Sequence, residues 1–167
     1  MSDFHSEALS SKHDRSRFSC GVPALDEYLH KRASQDLRRY SAAVFVMVPD
    51  GAPTRIAGFY TLSAFSVELD AVPDSTAKLL SRYPSVPSIL IGRLARDTAF
   101  PGVGSTLLMD AITRCVRQSD EIGASLIVVD AKDERARAFY EKHGFLRLIS
   151  APMRLVLPMK TAALAAG

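Results

Sequence analysis

The sequence predicts a single α/β domain built on a mixed sheet. Three observations carry that prediction. Helix-periodic and strand-like segments alternate along the chain, its 167 residues suit one core, and 47% of them are hydrophobic. No internal repeat, low-complexity tract or linker breaks the pattern.

The first helix is predicted over residues 22–38. Pro23 suits a first turn, and Leu25, Tyr28, Leu29 and Ala33 form an apolar stripe. Residues 42–48 are continuously apolar and read as a buried strand. After the turn Pro49-Asp50-Gly51, a second strand is expected from about residue 55 into Ser63. Residues 73–80 read as a short helix and residues 88–96 as a third strand. The segment Phe100-Pro101-Gly102-Val103-Gly104-Ser105 then leads into a helix. Its Leu107, Leu108, Ala111, Ile112, Cys115 and Val116 recur at helical spacing. Residues 126–130 form an apolar strand. Asp133 is a good N-cap for a helix reaching Lys142, and Gly144 a good stop. Two last strands are expected near residues 145–149 and 153–157. The ordered core is therefore expected over about residues 18–159, with disordered termini outside it.

Composition excludes several classes. The longest apolar run, residues 42–48, is too short to span a bilayer. Met1-Ser2-Asp3-Phe4-His5 lacks the basic start of a signal peptide. Cys20 and Cys115 have no metal or redox spacing, so a reduced cytoplasmic chain without metal is expected. Net charge is +3, but it is unevenly spread. Lys78, Arg82, Arg93 and Arg96 fall in a stretch free of acids, which suits an anionic partner or a solvated basic face equally well.

Two constellations bear on chemistry. The first is strand, glycine turn, helix, around Gly102 and Gly104. Helix-terminal N–H groups there can receive an anion, although an ordinary tight connection explains two glycines as well. Neither a dinucleotide-binding glycine signature nor a triphosphate loop is present. The second runs from Val128-Val129-Asp130-Ala131-Lys132-Asp133 to Ala138-Phe139-Tyr140-Glu141-Lys142-His143-Gly144-Phe145. Taken alone, Tyr140 there reads as a partly buried helix aromatic.

This second segment resembles motif B of the GCN5-related N-acetyltransferases (GNAT). Phe18-Ser19-Cys20-Gly21-Val22-Pro23-Ala24-Leu25-Asp26, Gly58-Phe59-Tyr60-Thr61-Leu62-Ser63, Gly92-Arg93-Leu94-Ala95-Arg96-Asp97 and Leu155-Val156-Leu157-Pro158-Met159 are similar to one subgroup, the acetyltransferase toxins of bacterial toxin–antitoxin modules. The resemblance spans roughly residues 18–159. It implies a sheet with two splayed parallel strands, residues 88–96 and 126–130, between which acetyl-CoA lies.

The resemblance also implies roles. Backbone groups of Leu94, Ala95 and Arg96 would pair with the pantetheine arm. Gly102, Val103, Gly104 and Ser105 would hold the pyrophosphate. Tyr140 would be the acid that protonates the leaving thiolate, and its phenol is protonated at neutral pH. The substrate implied is the α-amino group of an aminoacyl-tRNA. Arg93, Arg82, Lys78, Arg38 and Arg39, with Lys31 and Arg32, are candidates for its phosphates. A ribbon-helix-helix antitoxin and a homodimer are the implied partners. His143, in the last helical turn, is read as structural. One departure stands out: the segment between Asp97 and Gly104 is two residues short. Phe100 and Pro101 occupy the place of a family glycine and its polar neighbour, which predicts weaker acetyl-CoA binding. A GNAT enzyme for a small amine or a protein N-terminus, and a catalytically weak acyl-CoA-binding module, remain alternatives.

Overall fold

The computed structural model describes residues 3–166. Its elements are β1 (Phe4–Ala8), α1 (Pro23–Glu27), a π-helical turn (Tyr28–Arg32), α2 (Ala33–Arg38), β2 (Ala43–Pro49) and β3 (Gly58–Glu68). A 3-10 turn (Leu69–Ala71), α3 (Asp74–Ala77), β4 (Ser85–Arg96), α4 (Val103–Ser119) and β5 (Leu126–Asp130) follow. The chain ends with α5 (Glu134–Lys142), β6 (Leu146–Arg147), β7 (Arg154–Pro158) and α6 (Met159–Ala166). The seven-stranded sheet has the order β1-β2-β3-β4-β5-β7-β6. Two compact units form, Met1–Ser63 with Gly92–Ala111, and Ala64–Ile91 with Ile112–Gly167.

In the first unit β2 pairs antiparallel with β1 and with β3, from Ala43↔Leu62 to Met47↔Gly58. Val44, Val46, Met47 and Val48 of β2 are all buried, as a strand with neighbours on both edges requires. Val44, Val46 and Val48 pack with Leu29, Ala33, Ile56 and Phe59. Phe59 meets Phe18 edge-on at 5.4 Å and stacks on Tyr28 at 6.2 Å. Each such side chain contributes about 1.5–3 kcal/mol by leaving water. At Gly58 a Cβ would come within 3.1 Å of Leu107 and 3.2 Å of the Ala95 carbonyl. A side chain there would make Leu107 or the β4 backbone give way by a few tenths of an ångström.

The second unit is built on β5. Its Leu126, Ile127, Val128 and Val129 have no exposed surface. They pair parallel with Ser88–Ile91 of β4 and antiparallel with β7. The last β4–β5 pair is Ile91↔Val129, whereas β4 itself continues to Arg96. Leu126 and Val128 share a core with Val67, Val72, Val86, Leu148 and Val156.

Several expectations need correction. Strand β1 and helix α6 lie outside the elements expected from the sequence. β1 reads Phe-His-Ser-Glu-Ala and lacks an apolar alternation. It is held by polar contacts instead: Ser6 donates to Asp110 at 3.0 Å, and Glu7 meets Lys12 at 2.8 Å and His13 at 2.6 Å. β3 runs on to Glu68, because Phe65 and Val67 alternate inward beyond Ser63. β6 keeps only Leu146–Arg147, since Phe145 turns back and its N–H reaches the Tyr140 carbonyl at 3.2 Å. α4 starts at Val103, so Gly104 and Ser105 lie within its first turn.

Candidate active site

In the first unit, the end of β4 and the start of α4 gather seven of the residues expected at a site. Ala95 is buried in that unit's core, while Leu94 and Arg96 are half-buried. Gly102 and Ser105 are exposed and Val103 is buried. Gly102 has φ +88, a backbone region that glycine adopts without strain, and open space where a side chain would be. The first-turn N–H groups of a helix have no carbonyl of that helix to bond. Val103 N–H makes one long contact, 3.4 Å to the Phe100 carbonyl. A helix of 17 residues thus presents its positive end beside an unencumbered glycine.

That loop is fastened from beneath by Asp97, whose importance the sequence did not reveal. Its buried carboxylate accepts from the N–H groups of Ser19 at 3.1 Å and Ala99 at 2.8 Å, and faces Arg55 at 3.5 Å. The Arg55 guanidinium lies 5.2 Å from the Phe100 ring, and the Phe4 ring meets it in a T-shaped arrangement at 5.9 Å. Phe100 is therefore a packed anchor for the loop. The one available signal was an acid directly before a tight turn, inside the Gly92–Asp97 motif.

Arg93 stacks on Tyr28 at 3.6 Å, and the Tyr28 hydroxyl donates to Asp36 at 2.7 Å. Burial and that hydrogen bond push the Tyr28 phenol up. Arg38 and Arg39 lie exposed where α2 ends, in the same unit. Lys78 and Arg82 are exposed between α3 and β4, in the second unit.

Tyr140 belongs to the second unit. The Asp133 side chain caps α5 by accepting from Ala136 N–H at 2.8 Å, and Gly144 ends the turn at φ +95. The Tyr140 ring packs edge-on against Phe139 at 5.5 Å and Phe145 at 5.7 Å. It is 8% exposed. Burial pushes its phenol up to about 12, and the Asp130 carboxylate adds to the effect. Asp130 in turn is gripped by Arg154 at 2.6 and 2.9 Å, and Arg154 lies over Phe65 at 4.8 Å. At neutral pH such a phenol carries its proton and is available as a hydrogen-bond donor. His143 donates from Nδ1 to the Phe139 carbonyl at 2.9 Å and its ring lies tilted against the Phe139 ring at 4.7 Å, so it is engaged in the helix end.

No protein-family model matches the chain. A tRNA-acetylating toxin of Mycobacterium tuberculosis is 41% identical over 157 residues, 92% of this chain and 91% of the relative. This chain belongs to the GNAT toxins of toxin–antitoxin modules. A probable toxin TacT of Sinorhizobium fredii is 30% identical to this GNAT toxin over 90% of its length and 88% of its own. Among solved structures, AtaT complexed with acetyl-methionyl-tRNAfMet superposes with a TM-score of 0.89 at 28% identity, covering 99% of this chain and 100% of that one. A tyrosine-to-phenylalanine mutant of AtaT, bound to the C-terminus of the antitoxin AtaR and acetyl-CoA, gives 0.82 at 26% identity, with 98% of both chains covered. Among the described residues of this GNAT toxin, no group of His, Cys, Asp or Glu side chains is placed to hold a metal ion. No helix among them is long and apolar enough to cross a membrane.

Proposed function

We propose that this chain is a single-domain N-acetyltransferase that moves the acetyl group of acetyl-CoA onto the α-amino group of an aminoacyl-tRNA. The acetylated product has no free amine with which to form a peptide bond, so translation stops. The observation that carries this reading is the identity of 41% with a tRNA-acetylating toxin over nearly the whole of both chains. AtaT, solved with its acetylated tRNA product and with acetyl-CoA, supports the same substrates.

The residues divide the work as follows. Backbone N–H groups of Gly102, Val103, Gly104 and Ser105 receive the pyrophosphate, and the backbone of Leu94, Ala95 and Arg96 pairs with the pantetheine arm. The neutral amine attacks the acetyl carbonyl and a C–N bond forms. The C–S bond then breaks, and Tyr140 gives its proton to the coenzyme A sulfur. The nitrogen loses a proton to solvent, and solvent returns one to the Tyr140 oxygen. An α-amino group titrates near pH 8, so a useful share is neutral without a dedicated base. Arg93, Arg82, Lys78, Arg38 and Arg39 meet tRNA phosphates, contacts that give affinity without base choice.

The partner class is an antitoxin that covers the site, of ribbon-helix-helix type, and the working state is a cytoplasmic homodimer. Incubation with acetyl-CoA and charged bulk tRNA tests the substrate, read by mass spectrometry of the aminoacyl group. Acetylated aminoacyl-tRNA is expected, with a rate that falls steeply as salt rises. Acetylation of free amines with no effect of salt would replace tRNA by a small-molecule substrate.

A further inference from the structure

The end of helix α2 carries a residue that local backbone physics disfavours. Ser41 N–H bonds the Asp36 carbonyl at 2.9 Å and Tyr40 N–H bonds the Leu37 carbonyl at 3.2 Å. These are the paired bonds of a Schellman ending, and they put Tyr40 at the position where glycine is usual. Tyr40 has φ +57, the sole non-glycine residue of positive φ among the described residues. A side chain in that region is strained, and most chains avoid it with glycine.

Packing does not repay the strain. Tyr40 is 95% exposed, and neither its ring nor its hydroxyl has an aromatic, cationic or hydrogen-bonding partner among the described residues. The fold gains nothing visible from the ring. Cations precede it in the chain: Arg38 and Arg39 come directly before it, and Lys31 and Arg32 lie exposed more than two turns back on the same helical segment. An unpartnered aromatic ring on a helix end rich in cationic residues is the chemistry that stacks an unpaired base while neighbouring charges hold the phosphates.

We propose that Tyr40 is a stacking platform for a base of the RNA substrate, with Arg38, Arg39, Lys31 and Arg32 as the surrounding phosphate contacts. The proposal rests on the tRNA reading above and adds to it a non-ionic contact that charge alone cannot supply. The bound element is an unpaired nucleotide, since bases inside a helix present no free face.

Tyr40→Gly separates the two roles, because it removes the ring and also relieves the backbone. Its melting temperature should equal or exceed that of the parent, whereas its KM for charged tRNA should rise about tenfold or more. kcat at saturating tRNA should stay unchanged, and Tyr40→Trp should keep the parent KM. No charge is removed, so the slope of log Kd against log salt should not change, whereas Arg38→Ala should lower it. A KM within about twofold of the parent would overturn the proposal, given that stacking is worth more than that. So would a change in the mass measured by light scattering, which would give the ring to a second copy of the chain. Loss of neutralisation by the antitoxin with an unchanged KM would give it to that partner and overturn it equally. If the parent chain acetylates no charged tRNA, the substrate reading fails first. Fluorescence anisotropy with uncharged tRNA then decides this proposal alone: weaker binding by Tyr40→Gly upholds it, and equal binding ends it.

Discussion

Replacing Asp97 by alanine should unfasten the loop in front of α4 at a cost that the structure lets us work out. The side chain is 3% exposed and the opposing Arg55 side chain 14%. Its loss strands the Ser19 and Ala99 N–H groups and leaves the Arg55 cation half-buried without a counter-charge. Removing one member of a buried ion pair costs about 3–5 kcal/mol. The 3.5 Å separation from Arg55 is longer than a tight ion pair, so the low end applies, about 3 kcal/mol. For a chain of this size that lowers the melting temperature by about 6–12 °C. Arg55→Met should cost less, about 1–2 kcal/mol, because Asp97 keeps its two backbone donors. The double variant should cost less than the sum of the two, since neither group is then left uncompensated. Thermal unfolding followed by circular dichroism reads all three variants. A fall of under about 2 °C for Asp97→Ala, or strict additivity of the pair, would refute the view that Asp97 organises the loop.

Other expectations concern the glycines and the N-terminal strand. Gly104 is helical, and a Cβ there meets nothing closer than Arg96 Cδ at 3.9 Å. Gly104→Ala should therefore raise stability by about 0.5–1 kcal/mol while weakening acetyl-CoA binding in calorimetry, because the new methyl crowds the pyrophosphate. Gly102→Ala should lose both properties, since alanine is strained at φ +88. Glu7 is held down to about 2 by its hydrogen bond from Lys12, then by that from His13. Its folded value lies below its unfolded one, so its contribution is complete above about pH 4.5 and is lost as pH falls toward 2. The difference in melting temperature between the parent and Glu7→Gln should accordingly shrink across that acid window.

The central strands and helices were legible because their signals are local. β2 and β5 are uninterrupted apolar runs, and α5 is bracketed by Asp133 and Gly144. β1 was hidden because its contacts are with residues far along the chain, such as Asp110, and no alternation announces them. Only the resemblance of several motifs in order proposes Tyr140 as a site residue, since its own neighbours, Phe139 and Phe145, describe a packed aromatic. Asp97 and Phe100 were in plain view in the loop. Their roles depend on Arg55, Ser19 and Phe4, partners that only folding assembles. Weaker acetyl-CoA binding by this loop is an expectation from the resemblance alone. The structure gives Phe100 a packing role in that place.

The proposed acetyl transfer depends most directly on Tyr140 as the proton donor. Single-turnover acetylation of charged tRNA by Tyr140→Phe beside the parent measures that role. The variant should melt within about 2 °C of the parent, because only a hydroxyl is lost. It should transfer acetyl about 100- to 10,000-fold more slowly, the usual worth of a positioned acid. Equal rates for the two proteins would contradict the account.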